Sequence, residues 1–152
     1  GTDDPDSSRR MRYFSNFFTD FKVGERLGVI VGFDYGLQEM HKNASTYDYW
    51  YCPSLIALYN MSKKWKTAIR LEYFEDNDQV IIPTSGSYGF KATGASINFD
   101  YLPEKHIQCR LEARWLNSPN ALFNAENSYK NESLFIGTSM AIKIGGSMNT
   151  QQ

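Results

Sequence analysis

Apolar and polar residues alternate one for one along much of this chain, most regularly over residues 91–116. Thr93, Ala95, Ile97, Phe99 and Tyr101 take one parity, and Gly94, Ser96, Asn98 and Asp100 the other. After a short break, Ile107, Cys109, Leu111, Ala113 and Trp115 alternate with Gln108, Arg110, Glu112 and Arg114. A period of two places each set on its own side of a pleated strand. The same pattern predicts strands over about 12–23, 27–36, 49–61, 65–73 and 134–144. Phe14 and Phe18 blur it in the first of these, and Ile56 and Leu58 in the third. Gly28, Gly32 and Gly36 share one parity of the second strand and predict a crowded wall there. Pro53 predicts a bulge or the outer end of a strand.

The breaks alternate in kind. Gly24-Glu25-Arg26, Ser62-Lys63-Lys64 and residues 102–106 are short, charged turns. Residues 37–48, 75–90 and 117–131 are long and polar. The first apolar residues after the turns, Leu27, Trp65 and Ile107, lie 38 and 42 positions apart. This weak repeat of strand, turn, strand, long loop is the cadence of an up-and-down meander. The expected fold is all-β: an antiparallel meander barrel of seven to eight strands over 12–145. Residues 1–11 read as a flexible lead-in or loop remnant, and 146–152 as a polar tail.

A strand with one wholly apolar, ring-tipped face and one charged face needs an apolar phase on one side and water on the other. Lipid supplies that phase if the barrel is transmembrane, and two estimates favour it. Ile107 to Trp115 spans roughly 27 Å of strand, which a tilt of about 40° projects to roughly 20 Å, near the ~25 Å apolar band of such barrels. The amphipathic rings also fall at both ends of the band. Tyr59, Trp65 and Tyr101 sit beside the short turns, and Tyr35, Tyr51, Tyr73 and Trp115 beside the long loops, as two interfacial girdles require. Short turns on one side and long loops on the other match the asymmetry of outer-membrane barrels. The last strand then runs toward the periplasmic side and the first begins on the loop side. Seven strands therefore predict either an eighth, partial strand in residues 2–11 or the C-terminal part of a larger barrel, and the second is the favoured expectation.

Composition narrows the field further. The chain has 152 residues, a net charge of −1 and 15% aromatics. It carries no field that would draw nucleic acid. Mean hydropathy is −0.49, which a barrel reaches when charged inner residues cancel apolar outer ones. No run approaches the ~18 apolar residues of a membrane helix. The two cysteines have opposite parity relative to the apolar face, so no disulfide and no metal spacing is expected. His41 and His106 fall at opposite ends of the barrel and form no catalytic pair. Glu75, Asp76 and Asp78 read as a solvated acidic loop rather than a cation site. No catalytic residue, metal or cofactor is expected.

The segments LIALYNMSKKWKTAIRLEYFED, INFDYLPEKHIQCRLEARWLNS and SLFIGTSMAIKI resemble the C-terminal strands of the OmpL-like β-barrel porins. The shared pattern is a tight charged turn, an aromatic or aliphatic residue, then R-x-E or E-x-R on the inner face, over about residues 12–145. The resemblance implies a bacterial outer-membrane barrel, a pore rather than an enzyme; the start at Gly1 rather than Met reads as a mature chain without its signal peptide or as the scar of a tag. On this reading Asp34, Arg70, Glu72, Asn98, Asp100, Arg110, Glu112, Arg114 and Lys143 line the lumen. They either set solute selectivity or pair and plug it. The expected partners are a lipid bilayer or detergent and the missing barrel strands or another copy of the chain. A soluble lipocalin-like barrel around a hydrophobic ligand uses the same alternation with opposite sidedness. A non-conducting, membrane-anchored structural barrel is a third reading.

Overall fold

In a computed structural model of the chain, the described residues are 8–84, 86–125 and 128–144. The polar tail and most of the lead-in lie outside them. Six strands follow one another: β1 (Arg12–Val23), β2 (Leu27–Glu39), β3 (Tyr47–Asn60), β4 (Trp65–Asp76), β5 (Phe90–Glu104) and β6 (Ile107–Asn117). Two short strands, β7 (Phe123–Ala125) and β8 (Ser128–Lys130), precede β9 (Glu132–Ile142). β1 to β6 and β9 form one antiparallel seven-stranded sheet in chain order, and β7–β8 a separate hairpin. The meander is as expected. The ladder ends at β1 and β9, so closure into a barrel is not seen among the described residues.

The first two short turns fall on their charged tripeptides, whereas the third narrows from residues 102–106 to Lys105 and His106, because β5 continues to Glu104. Gly24 carries a φ of 68° between β1 and β2, a conformation that a residue without Cβ adopts at little cost. The long loops are shorter than polarity suggested, because strands outrun the apolar band. Gln38 and Glu39 pair with Asp48 and Tyr47, although all four lie in a stretch that reads as loop. Gln38 and Glu39 are buried polar residues held by hydrogen bonds. Arg12 Nε donates to Gln38 Oε1 at 2.8 Å, and the Met11 amide to Glu39 Oε2 at 2.9 Å. The third long loop contains the β7–β8 hairpin. Pro53 produces no bulge: β3 keeps the same register to β4 on either side of it. The bulge in the sheet lies instead near Pro103, between Tyr101 and Glu104.

Sidedness is the feature that matters for function. The only buried hydrophobic residues among those described are Ala44 and Ala92. Ile69, Leu111 and Ile136 are 49%, 48% and 66% exposed, while Asp100 is 7% exposed. A water-soluble barrel buries its large aliphatics and exposes its charges; here the order is reversed. The charged face is also the concave one. Lys22 of β1, Gly28 of β2, Leu58 of β3, Lys66 of β4, Asp100 of β5 and Arg110 of β6 all line one hollow of about 610 Å³. In a flat sheet β1 and β6 would stand about 24 Å apart at the usual strand spacing, so the sheet must curl around this face.

Candidate functional site

The concave face takes its charges from the even-numbered positions of β1, β2, β4, β5 and β6, which the register brings side by side. Asp100 and Arg110 are directly paired on β5 and β6. The guanidinium grips the carboxylate with two bonds, Nε to Oδ1 at 2.7 Å and a terminal nitrogen to Oδ2 at 2.9 Å. This fork geometry is the strongest form of such a pair. A second group spans three strands. Arg70 meets Glu72 at 2.6 Å, and Arg114 of β6 bonds the same carboxylate from the far side of β5. Glu72 is opposite Gly94, and Arg114 opposite Ser96. A Cβ on Gly94 would lie 2.7 Å from Glu72 Oε1 and 2.8 Å from its Cγ. The bare glycine is therefore what lets the bridge pass over β5.

The remaining predicted inner residues are placed as follows. Asp34 accepts a bond from Asn16 of β1. Asn98 pairs with Glu112 across β5 and β6, so Glu112 stands between Arg110 and Arg114 on its own strand. Lys143 lies beyond the end of β9, exposed, with its amide bonded to the His106 carbonyl at 2.8 Å. It belongs to the turn-end rim and not to the wall. Cys52 and Cys109 are both free and lie on opposite faces, as parity required.

On the convex face the predicted rings gather at two levels. Trp65 and Tyr101 pack at 4.6 Å between centroids beside the short turns, with Tyr59 opposite Thr67 on the neighbouring strand. Tyr35, Tyr51 and Tyr73 group near the loop end, linked through Phe33. Trp115 sits opposite Ala95, one same-face pair deeper than the Thr93–Asn117 pair beside Tyr73. Glu75 caps the loop-end cluster. Its Oε2 accepts the hydroxyls of Tyr51 at 2.7 Å and Tyr73 at 2.6 Å, and Lys91 approaches Oε1 at 3.2 Å.

Sequence reasoning missed two parts of the concave face. The first is a row of aromatic rings. Phe14 of β1 stacks on Trp50 of β3 at 5.4 Å, Trp50 on Phe74 of β4 at 6.0 Å, and Phe74 meets Phe90 of β5 edge-on at 5.7 Å. The indole lies flat across β2 because Gly36 has no side chain; a Cβ there would run into the ring. The signal was available in the three glycines of one parity. The second is Asp76, which reads as part of a solvated loop but ends β4 with no exposed surface. Its carboxylate accepts the amides of Val80, Ile81 and Ile82 at 2.8, 2.8 and 2.9 Å. Glu75 and Asp76 thus serve opposite faces and do not converge on a cation. The loop that Asp76 knots reaches β1, where Arg12 donates to the Val80 carbonyl at 3.1 Å.

Among the described residues this face carries paired acids and bases, a hydrogen-bonded loop and an aromatic row, and no nucleophile beside a base. No curated protein and no solved structure matches the chain. A family model described as "Putative beta-barrel porin-2, OmpL-like" matches residues 1–144. With that match added to the meander and its reversed burial, the chain belongs to the OmpL-like β-barrel porin family.

Proposed function

We propose that this chain forms part of the wall of a bacterial outer-membrane pore that passes small solutes or ions by diffusion and performs no catalysis. The observation that carries the reading is the reversed burial: large aliphatics on the convex face, paired charges on the concave one. In a bilayer the convex face meets hydrocarbon, the two ring clusters meet the interfaces, and the concave face is the lumen. The lumen-lining set is Asp34, Arg70, Glu72, Asn98, Asp100, Arg110, Glu112 and Arg114, with Lys143 at the rim. The sheet edges shape the rest. β1 and β9 run in the same direction, so closure with antiparallel pairs throughout needs an odd number of strands beyond these seven. The barrel domain remains 12–145 on this reading.

Arg110, Arg114 and Arg70 keep 40%, 41% and 46% of their side-chain surface, so they present charge to water while paired. Replacing Arg110 and Arg114 by Glu removes two positive charges and adds two negative ones. Reversal potential in a planar bilayer under a salt gradient should then shift toward cation selectivity. An unchanged potential, or the absence of any conductance in the parent protein, overturns the pore.

A further inference from the structure

We infer that the row Phe14–Trp50–Phe74–Phe90 is a binding site for solutes bearing a ring with a flat apolar face, whether a sugar pyranose or an aromatic compound. The inference rests on the concave face being the water-filled one. Three observations carry it. First, the rings stand on the charged face, where a wall meant only to hold water has no use for them; the convex face already carries the rings that meet lipid. Second, the row is spread over the sheet rather than folded into a core. Phe14 and Trp50 are 14° from parallel, Trp50 and Phe74 24°. The indole is backed by the bare strand at Gly36 and stays half-buried. Phe14 stays 59% exposed, which a closed aromatic core would not allow. Third, the row is overhung at its Phe90 end. That ring borders a cavity of about 240 Å³ which Ile82 and Pro83 of the β4–β5 loop share with Leu122 and Tyr129. The Asp76 knot and the Arg12–Val80 bond fix this loop across the face.

A flat hydrocarbon or CH-bearing face stacks on such rings, while an acyclic polyol of similar polarity has no face to offer. The row crosses β1 to β5 at the loop end, so a solute entering from that side meets it before the Arg–Glu bridges. Binding there concentrates ring solutes at the mouth.

The test uses the full chain folded in detergent micelles, with maltotriose, benzyl alcohol and sorbitol as probes. In one arm Trp65→Phe and Trp115→Phe leave Trp50 as the single indole. Its emission should respond to the ring compounds and not to sorbitol. In the other arm saturation-transfer NMR reads binding directly. Trp50→Ala should weaken ring-solute binding about two- to ten-fold, the range that aromatic pair energies give, and Trp50→Phe should retain most of it. Trp50→Phe also removes an indole N–H that is buried without a hydrogen-bond partner, so it should fold as well as the parent. If Trp50→Ala does not fold, Phe74→Leu replaces it. A response to maltotriose alone identifies sugars, and to benzyl alcohol alone aromatic solutes; both support the site. Equal binding of sorbitol, no binding of either ring compound, or undiminished binding in the truncated variant overturns it. None of these readouts needs conductance. Ring binding without conductance would overturn the pore and spare the site, and conductance without ring binding would do the reverse.

Discussion

The substitution Gly94→Ala isolates the bridge that crosses the sheet. A methyl group at this position would approach Glu72 Oε1 to 2.7 Å and Leu116 Cδ2 to 3.1 Å. The carboxylate must move, and it moves off Arg114. An exposed ion pair contributes about 0.2–1 kcal/mol, and breaking a fully buried one costs about 3–5 kcal/mol. This pair lies between those limits: Glu72 keeps 13% of its side-chain surface and Arg114 41%. Arg70 continues to hold the other carboxylate oxygen, so the charge is not stranded. The expected loss is about 1–2 kcal/mol, which for a urea slope of about 2 kcal/mol/M lowers the midpoint by about 0.5–1 M. The specific signature is a double-mutant cycle with Glu72→Gln and Arg114→Gln. A coupling of about 1 kcal/mol is expected in the parent and close to none in the Gly94→Ala background, since coupling reports direct contact. The Asp100–Arg110 pair, on β5 and β6, is the control and should keep its coupling. If Gly94→Ala leaves both midpoint and coupling unchanged, the bridge does not depend on the bare strand and the reasoning fails.

Three further outcomes follow from the same geometry. Gly36→Leu should displace the Trp50 ring and cost about 1–3 kcal/mol by overpacking, read as a lower midpoint and altered Trp50 emission in the variant retaining that single indole. Asp76→Ala leaves three amides without their acceptor, each worth about 1–3 kcal/mol when buried. The β4–β5 loop should then be cut faster by protease while the sheet stays folded; an unchanged cleavage rate argues against the knot. Glu75→Leu strips the acceptor from the Tyr51 and Tyr73 hydroxyls. It should lower thermal stability in lipid more than Glu132→Leu, whose carboxylate makes only a long 3.4 Å contact with Asn117; equal effects would count against a capping role.

The fold was legible where one face of a strand has to meet an apolar phase, because parity then fixes every side chain. β1 begins and ends where its alternation does, and the first two turns fall on their charged tripeptides. Legibility failed at the loop ends. Gln38, Glu39, Glu75 and Asp76 are polar residues in extended strands, and polarity alone reads as loop. Their extended backbone is set by neighbouring strands and by Arg12, which lies 26 residues from its partner Gln38. The parity of the charged face was legible, although Lys143 falls beyond β9 and Lys22 and Lys66 join the hollow, but not who pairs with whom. That Arg114 reaches Glu72 rather than the facing strand depends on Gly94, a glycine that alternation registers only as neither polar nor apolar. Trp50 was hidden for a similar reason. Strand β3 mixes Trp50, Ile56 and Leu58 into its inner parity, so its alternation is poor, and only the register with Gly36 tells what the indole lies against.

The three tryptophans test sidedness most directly. Trp65 and Trp115 occupy the convex face and Trp50 the concave one. Single-tryptophan variants, made by Trp→Phe at the other two positions and folded into vesicles, can be exposed to brominated acyl chains and separately to aqueous iodide. The account predicts that bromolipid quenches Trp65 and Trp115 and leaves Trp50 bright, while iodide reaches Trp50. Quenching of Trp50 by bromolipid, with Trp65 and Trp115 open to iodide alone, would contradict it.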